Sequence, residues 1–363
     1  MVGLTFSTLQ VMPSAPDICN VDLDAFTTHG CEIHHTDGNA DILKSPIGPI
    51  DFCKEFCMKQ ARGQVTVLEF LAELDDPHVA QYLMQWSVNA SRLNYMARTT
   101  PRDACKEAAM YVDSAILATA ATVVGQRWSE RQSCQASFGT GHGGLGFYQI
   151  AEALDVAYLS SHAATHDLCI AIRPEHTWDC QQLGTPLAAA HGRLCSLVAD
   201  AGILDGQRRL NKAVSAESMR TWLEGASPPE RVRYNANAAR GAGKLFELVP
   251  SKTLDAHMKA SKYATNAERL LGVDFMEGGR PCNLCGVLLD SWGTHPQSCT
   301  SGGKQSVEHN AVRNVVYDYC ERALLRPDRE SPVLLKNDLD PHTQERPADV
   351  LVLPSLAFCA AIA

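Results

Sequence analysis

No run of about 18 apolar residues occurs anywhere in this 363-residue chain, the most apolar long stretch being residues 115–125, so neither a bilayer span nor a membrane anchor is expected. No basic segment followed by an apolar core opens the sequence, which argues against a secretory signal and points to an intracellular protein, nuclear or cytoplasmic. A surplus of positive charge is missing as well. Thirty-two Lys and Arg stand against 41 Asp and Glu, a net charge of −9, and a chain that coats nucleic acid without selectivity needs the opposite balance. No internal repeat of fixed period is present, which excludes solenoids and propellers.

What is there describes a globular chain of two or more domains, 45% hydrophobic and 20% charged. The 14 cysteines are scattered, and in an intracellular setting they read as reduced thiols, core residues and metal ligands rather than a disulfide framework. The mean charge hides a split: residues 208–269 carry twelve basic side chains against six acidic ones, so any electrostatic footprint for DNA or RNA is expected there.

The fold class read from periodicity is mainly α with a small α+β C-terminal unit. Residues 1–50 hold short apolar runs broken by Pro13, Pro16, Gly30 and Gly38, a pattern of strands and turns. Residues 51–204 turn helical. Phe52 and Phe56, then Val67, Leu68, Leu71 and Leu74, then Val79, Leu83 and Trp86 recur at helical spacing, with Asp75 and Asp76 as a cap before Pro77. An Ala-rich helix over 103–124, a helix from Tyr148 to about His166 and another over 186–201 complete a bundle. Residues 205–275 read as a basic helical connector with breaks at Pro228-Pro229 and Gly241-Ala242-Gly243. Residues 276–363 form a small mixed unit, with a helix over 306–322 and strands over 331–335 and 349–353.

The sharpest motif is Cys282-x2-Cys285-x9-His295-x3-Cys299. Two thiolates two residues apart grip one ion from a tight turn, and a later His and Cys complete a tetrahedral shell suited to Zn2+. Four side-chain ligands leave no open position, so such a site is structural and not hydrolytic. Other constellations are weaker. Gly141-x-Gly143-x-x-Gly146 matches the dinucleotide fingerprint, but no buried strand precedes it, so it reads as a close-packed turn. His162-x3-His166 lacks a third ligand and reads as a helix face, while Asp22, Asp24, Cys31, His34 and His35 lie in a segment with little core.

In the tail, Glu330 precedes one apolar strand and Asp349 begins another, and acidic groups at strand ends are how nucleases hold Mg2+ against a phosphate. A working site adds a third carboxylate and a Lys, and none follows Asp349. The alternative reading is a pair of solvated strand-edge residues.

These segments in their order resemble the region after the polymerase palm in non-LTR retrotransposon reverse transcriptases. Ile42-Leu43-Lys44-Ser45-Pro46-Ile47-Gly48 is similar to a Leu-Gly-Ala-Pro-Ile-Gly turn, with Lys44-Ser45 departing from its Gly-Ala. Leu93-Asn94-Tyr95-Met96-Ala97-Arg98-Thr99 resembles the Asn-Tyr-Leu-Leu-Arg-Thr of the thumb region, and Gly143-Gly144-Leu145-Gly146-Phe147 with Ala157-Tyr158-Leu159-Ser160-Ser161 the pair that follows. Residues 264–272 and 282–299 are similar to the zinc knuckle and its approach. Glu308-His309-Asn310-x2-Arg313 and Arg346-Pro347-Ala348-Asp349-Val350 resemble the restriction-enzyme-like endonuclease that ends such proteins.

The resemblance implies a thumb-like region over 51–204, a remnant of the palm end over 1–50, and a zinc knuckle with a truncated nuclease-like domain over 276–363. It implies that Arg208, Arg209, Lys212, Arg231, Arg233, Arg240 and Lys244 meet phosphates, and that Glu330 and Asp349 carry over as metal carboxylates. No Tyr-x-Asp-Asp turn is present to clamp two Mg2+ for polymerisation. The expectation is therefore a reverse-transcriptase-like fragment that binds DNA or RNA without polymerase activity. Two alternatives stand beside it, an Mg2+-dependent endonuclease completed by a partner chain and a decayed fragment without function.

Overall fold

The computed structural model describes residues 8–11, 32–35, 39–42, 44–88, 91–125, 127–172, 174, 184–198, 206–254, 256–301, 304–325, 327–329, 335–337, 340–345 and 350–351. Glu330, Arg346, Asp349, Asp22, Asp24 and Cys31 lie outside them. The chain is mainly helical and divides into two units, residues 1–275 and 276–363.

The first unit opens with four short strands in two pairs. β1 (Thr8–Val11) runs parallel to β2 (Glu32–His35), which includes His34 and His35, and β3 (Ala40–Ile42) is antiparallel to β4 (Ser45–Ile47) with Ile42 opposite Ser45. Helix α1 (Ile50–Ala72) buries Cys53, Cys57, Ala61, Val65, Leu68 and Leu71, the three- and four-residue spacing of one helical face. It packs along α4 (Arg102–Val124), whose buried face is mostly small: Ala104, Cys105, Ala108, Ala109, Val112, Ile116 and Ala120. Small side chains let the two helices approach closely over their length.

Local chemistry sets the helix ends. The Asp76 carboxylate accepts the Val79 N–H at 3.2 Å at the start of α2 (Pro77–Trp86), with Pro77 in the first turn where its missing N–H costs nothing. α3 (Ser91–Thr99) follows, and α4 stops at Gly125, whose φ of 84° suits a residue without Cβ. α5 (Glu130–Ser137) was not anticipated from the sequence. Its polar stretch forms a helix because Ser129 and Gln132 make a reciprocal capping box and because Gln135 and Ala136 are buried.

The following glycines form a close-packed turn with no strand leading into it: a Cβ on Gly144 would collide with the Phe138 and Gln135 carbonyls. α6 (Ile150–Ile172) then begins under a cap supplied from another helix. The Asp113 carboxylate of α4 accepts the N–H groups of Ile150 and Ala151 at 2.8 and 2.9 Å.

The main core joins α1, α2, α3, α4 and α6 to the buried face of α10 (Ala260–Leu271), where Tyr263, Ala267 and Leu271 are almost wholly enclosed. A second cluster lies between α6, α7 (Pro186–Leu197) and α8 (Gln207–Glu224), around Leu159, Leu194 and Leu210. A third sets Phe138 edge-on to both Trp222 of α8 and Tyr234 of α9 (Pro228–Asn237). Each fully buried Leu contributes roughly 2 kcal/mol. Inside this packing, Asp155 accepts two bonds from the Arg193 guanidinium, at 2.8 and 3.0 Å, and one from Arg102 at 3.3 Å, tying α4, α6 and α7 together. By length and composition α4 is the one described helix apolar enough to cross a membrane. Its contacts with α1 and α6, and its buried Asp113, are those of a core helix.

In the second unit a ribbon pairs Pro281 with Leu288, followed by α11 (Thr294–Ser298) and α12 (Lys304–Arg322). β5 (Asp328–Arg329) pairs antiparallel with β8 (Val350–Leu351), and β6 (Leu335–Asn337) with β7 (Asp340–Glu345).

Candidate metal centre

Cys282, Cys285, His295 and Cys299 converge, although up to 17 positions separate them in sequence. Their ligand atoms all lie within 4.8 Å of one another. The Cys282 and Cys299 sulfurs are 4.0 Å apart, and Cys285 Sγ is 3.1 Å from His295 Nε2. Two thiolates on a tetrahedral ion with metal–sulfur bonds of about 2.3 Å stand about 3.8 Å apart, so the cluster could hold a metal such as zinc.

The backbone builds this cradle in two turns. In the first, the Gly286 N–H donates to the Cys282 carbonyl and the Cys282 N–H to the Val287 carbonyl, both at 2.8 Å, and the turn closes through Gly286 at φ 76°. A Cβ at that angle is strained, so the glycine after the second Cys is a geometric requirement. The chain returns along the ribbon, where the Leu289 N–H donates to the Arg280 carbonyl at 2.8 Å. The second turn is held by Asp290, whose carboxylate accepts the N–H groups of Trp292, Thr294 and His295 at 3.0, 2.8 and 2.7 Å. Gly293, at φ 70°, lets the chain fold over that carboxylate into α11, which places His295 and Cys299 one turn apart.

The electrostatics favour a bound cation. Backbone N–H groups of Leu284 and Cys285, with the His295 ring, bring the Cys282 thiol down to about 6, so it is substantially thiolate at neutral pH. Cys285 moves the other way: the Val287 N–H opposes the rise, but desolvation and the neighbouring Cys282 and Cys299 sulfurs prevail. Two thiolates this close repel unless a cation lies between them. Partial burial works against ionisation of Asp290, yet the N–H groups of His295, Thr294 and Trp292 hold it below the usual carboxylate range.

The surroundings are thin. Among the described residues of 276–325 no Leu, Val, Met, Tyr or Trp is buried, and Leu284, Val287, Leu288 and Trp292 are exposed. A segment of this size with so little buried apolar surface gains most from another cross-link.

The cationic side chains expected to meet phosphates fall into different situations. Arg208, Arg209 and Lys212 sit on the exposed start of α8, with Arg208 and Lys212 one turn apart. Arg240 is exposed in the break after α9. Lys244 pairs with Glu247, and the Arg231 guanidinium donates to the Ala226 and Glu224 carbonyls at 3.0 and 3.3 Å, closing the end of α8. Arg233 is half-buried, its guanidinium lying against Gly272 at the C-terminus of α10, and burial lowers its pKa. Glu330 and Asp349 lie outside the described residues. Their sequence neighbours Arg329 and Val350 face each other across β5 and β8.

His162 and His166 share a face of α6, His162 Nδ1 against the Tyr158 carbonyl at 3.0 Å and His166 beside Asp167, and the metal-ligand cluster among the described residues does not include them. Sequence reasoning passed over Asp290. Its signal was an Asp followed within five residues by Gly-Thr-His, the composition of a turn in which a carboxylate collects successive amides. No family model, no curated protein and no solved structure matches this chain.

Proposed function

We propose that this chain is a retroelement-derived, reverse-transcriptase-like protein that binds nucleic acid without polymerising it, and that a structural Zn2+ centre organises its C-terminal unit. The observation that carries the reading is the convergence of Cys282, Cys285, His295 and Cys299 on one point, in a segment whose described Leu, Val, Met, Tyr and Trp residues over 276–325 are not buried. With all four tetrahedral positions taken by side chains, the ion has no place for a hydrolytic water, so its role is to fix two turns relative to each other. The exposed Arg208, Arg209 and Lys212 of α8 and Arg240 supply cations for phosphates, in a chain whose net charge disfavours indiscriminate binding. No Tyr-x-Asp-Asp turn stands in the sequence to polymerise.

The test is binding of the purified chain to labelled DNA and RNA at low and physiological salt, with zinc measured in the same preparation. Binding that weakens steeply with salt, in a preparation holding about one zinc per chain, supports the reading. Absence of both removes it.

A second reading, an Mg2+-dependent endonuclease completed by a partner chain, draws on the antiparallel pairing of β5 with β8, the strands that Glu330 and Asp349 adjoin in sequence. Plasmid nicking in Mg2+ that disappears in Asp349→Ala supports it; no nicking in Mg2+ or Mn2+ removes it.

A further inference from the structure

A cavity of about 720 Å³ opens in the first unit between the β3–β4 connection, α1 and α3, within the size range of small-ligand sites. Its floor is the buried Leu93 and Met96. Lys44, Lys59 and Tyr95 stand around it, and among the described lining residues none carries a carboxylate. Gly63, on the exposed side of α1, has nothing within 4 Å of where a side chain would begin, so the wall stays open there.

Lys44 marks this cavity as more than a packing gap. Its φ of 63° lies in the left-handed region, where glycine is the default and a lysine is strained. A long cation kept at such a position, on the rim of a pocket, is a local conflict of the kind that collects at binding sites. Tyr95 adds an aromatic: Leu93, Met96 and Ala97 form the buried face of the same helix, while Tyr95, 45% exposed, lies off that face and lines the cavity.

We infer that this cavity is a site for single-stranded nucleic acid, Lys44 and Lys59 meeting phosphates and Tyr95 stacking on an unpaired base. The inference rests on the nucleic-acid-binding reading above but uses residues separate from the metal centre and from the start of α8. Two cations on a lining whose described residues carry no carboxylate favour an anionic ligand. A flat, accessible aromatic face selects a base that is not already stacked in a duplex, and an apolar floor accepts its edge. The paired bases of a duplex offer no such face.

The experiment measures fluorescence anisotropy of the 363-residue, zinc-loaded chain with labelled single-stranded DNA and RNA oligomers and with a blunt DNA duplex, across a salt series. Tyr95→Ala is expected to weaken single-strand binding about tenfold while Tyr95→Phe keeps it, since the ring and not the hydroxyl does the stacking. Lys59→Ala is expected to lower the salt slope by about 0.7, the share of one phosphate contact on a single strand. Lys44→Gly relieves the strained turn, so it should melt no lower than the parent chain and still bind single strands less well. That combination separates a binding role from a folding one. Lys106→Ala, an exposed cation of α4 outside the cavity and without an assigned contact, serves as the control.

Wild-type single-strand affinity in Tyr95→Ala and Lys59→Ala, in a chain that still binds nucleic acid, overturns the inference and leaves the broader reading standing. An equal loss for single strand and duplex overturns it also. No binding by the parent chain at any salt overturns both.

Discussion

The Asp290 carboxylate and the His295 backbone N–H are 2.7 Å apart, and the same carboxylate also takes the N–H groups of Thr294 and Trp292. An acidic side chain that touches no ligand atom thus sets where His295, and one turn later Cys299, stand. Asp290→Ala should reduce zinc affinity about 10- to 100-fold, the usual cost of losing a residue that orients metal ligands. Asp290→Asn, which keeps an accepting oxygen, should fall between. Competition with a chromophoric chelator reads this directly, and unchanged affinity in Asp290→Ala would show that the ligand turn holds itself.

Gly272 and Arg233 form a comparable pair in the first unit. A Cβ at Gly272 would enter the space of the Arg233 guanidinium, at a φ of 66° that already disfavours any side chain. Gly272→Ala should destabilise the fold by about 1–2 kcal/mol from backbone strain alone, with more from displacing the arginine. In the double variant with Arg233→Ala the second part should vanish, so the two changes should be non-additive in chemical denaturation. Additive effects would mean that Arg233 moves aside freely.

Asp113 gives a pH dependence with a definite sign. Burial raises its carboxyl to about 6, against the lowering effect of the Ala151 and Ile150 N–H groups. The unfolded chain releases this proton near pH 4 and the folded chain near pH 6, so the unfavourable contribution of Asp113 is absent below about pH 4 and complete above about pH 6. Its size is on the order of 2–3 kcal/mol. Urea denaturation at a series of pH values should therefore show a component of stability that falls as pH rises through this window, and Asp113→Asn should remove that component. A variant with the slope of the parent chain would place the effect elsewhere.

The helices were legible where one face repeats at helical spacing. The Asp76-Pro77 start gives the beginning of α2, but its buried face is His78, Ala80, Gln81, Met84 and Gln85 rather than Val79, Leu83 and Trp86, Trp86 being 63% exposed; the Ala-rich run gives α4 to within a residue. α5 was not legible, because its signal is a capping box around polar residues whose burial depends on packing against α10 and the glycine turn. The cluster of Cys282, Cys285, His295 and Cys299 could be read from its spacing, since Cys and His at such intervals can share one ion. The turn-holding Asp290 and the strained Lys44 could not, because each is defined by backbone geometry that a residue type does not encode. The same holds for the basic stretch: residue counts located the positive charge, but only packing separates Arg208 and Lys212 from Arg231, whose guanidinium is bonded to carbonyls at the end of α8, and from the half-buried Arg233.

The most direct measurement of the central claim is elemental analysis of the purified 363-residue chain beside its Cys282→Ser, Cys285→Ser double variant, with limited proteolysis of both before and after chelation. The metal-centre account predicts about one zinc in the parent chain and none in the variant, and rapid cleavage within residues 276–325 whenever the metal is missing. A parent chain free of zinc after expression in zinc-supplemented medium, with the same resistance to protease in chelator, would contradict it.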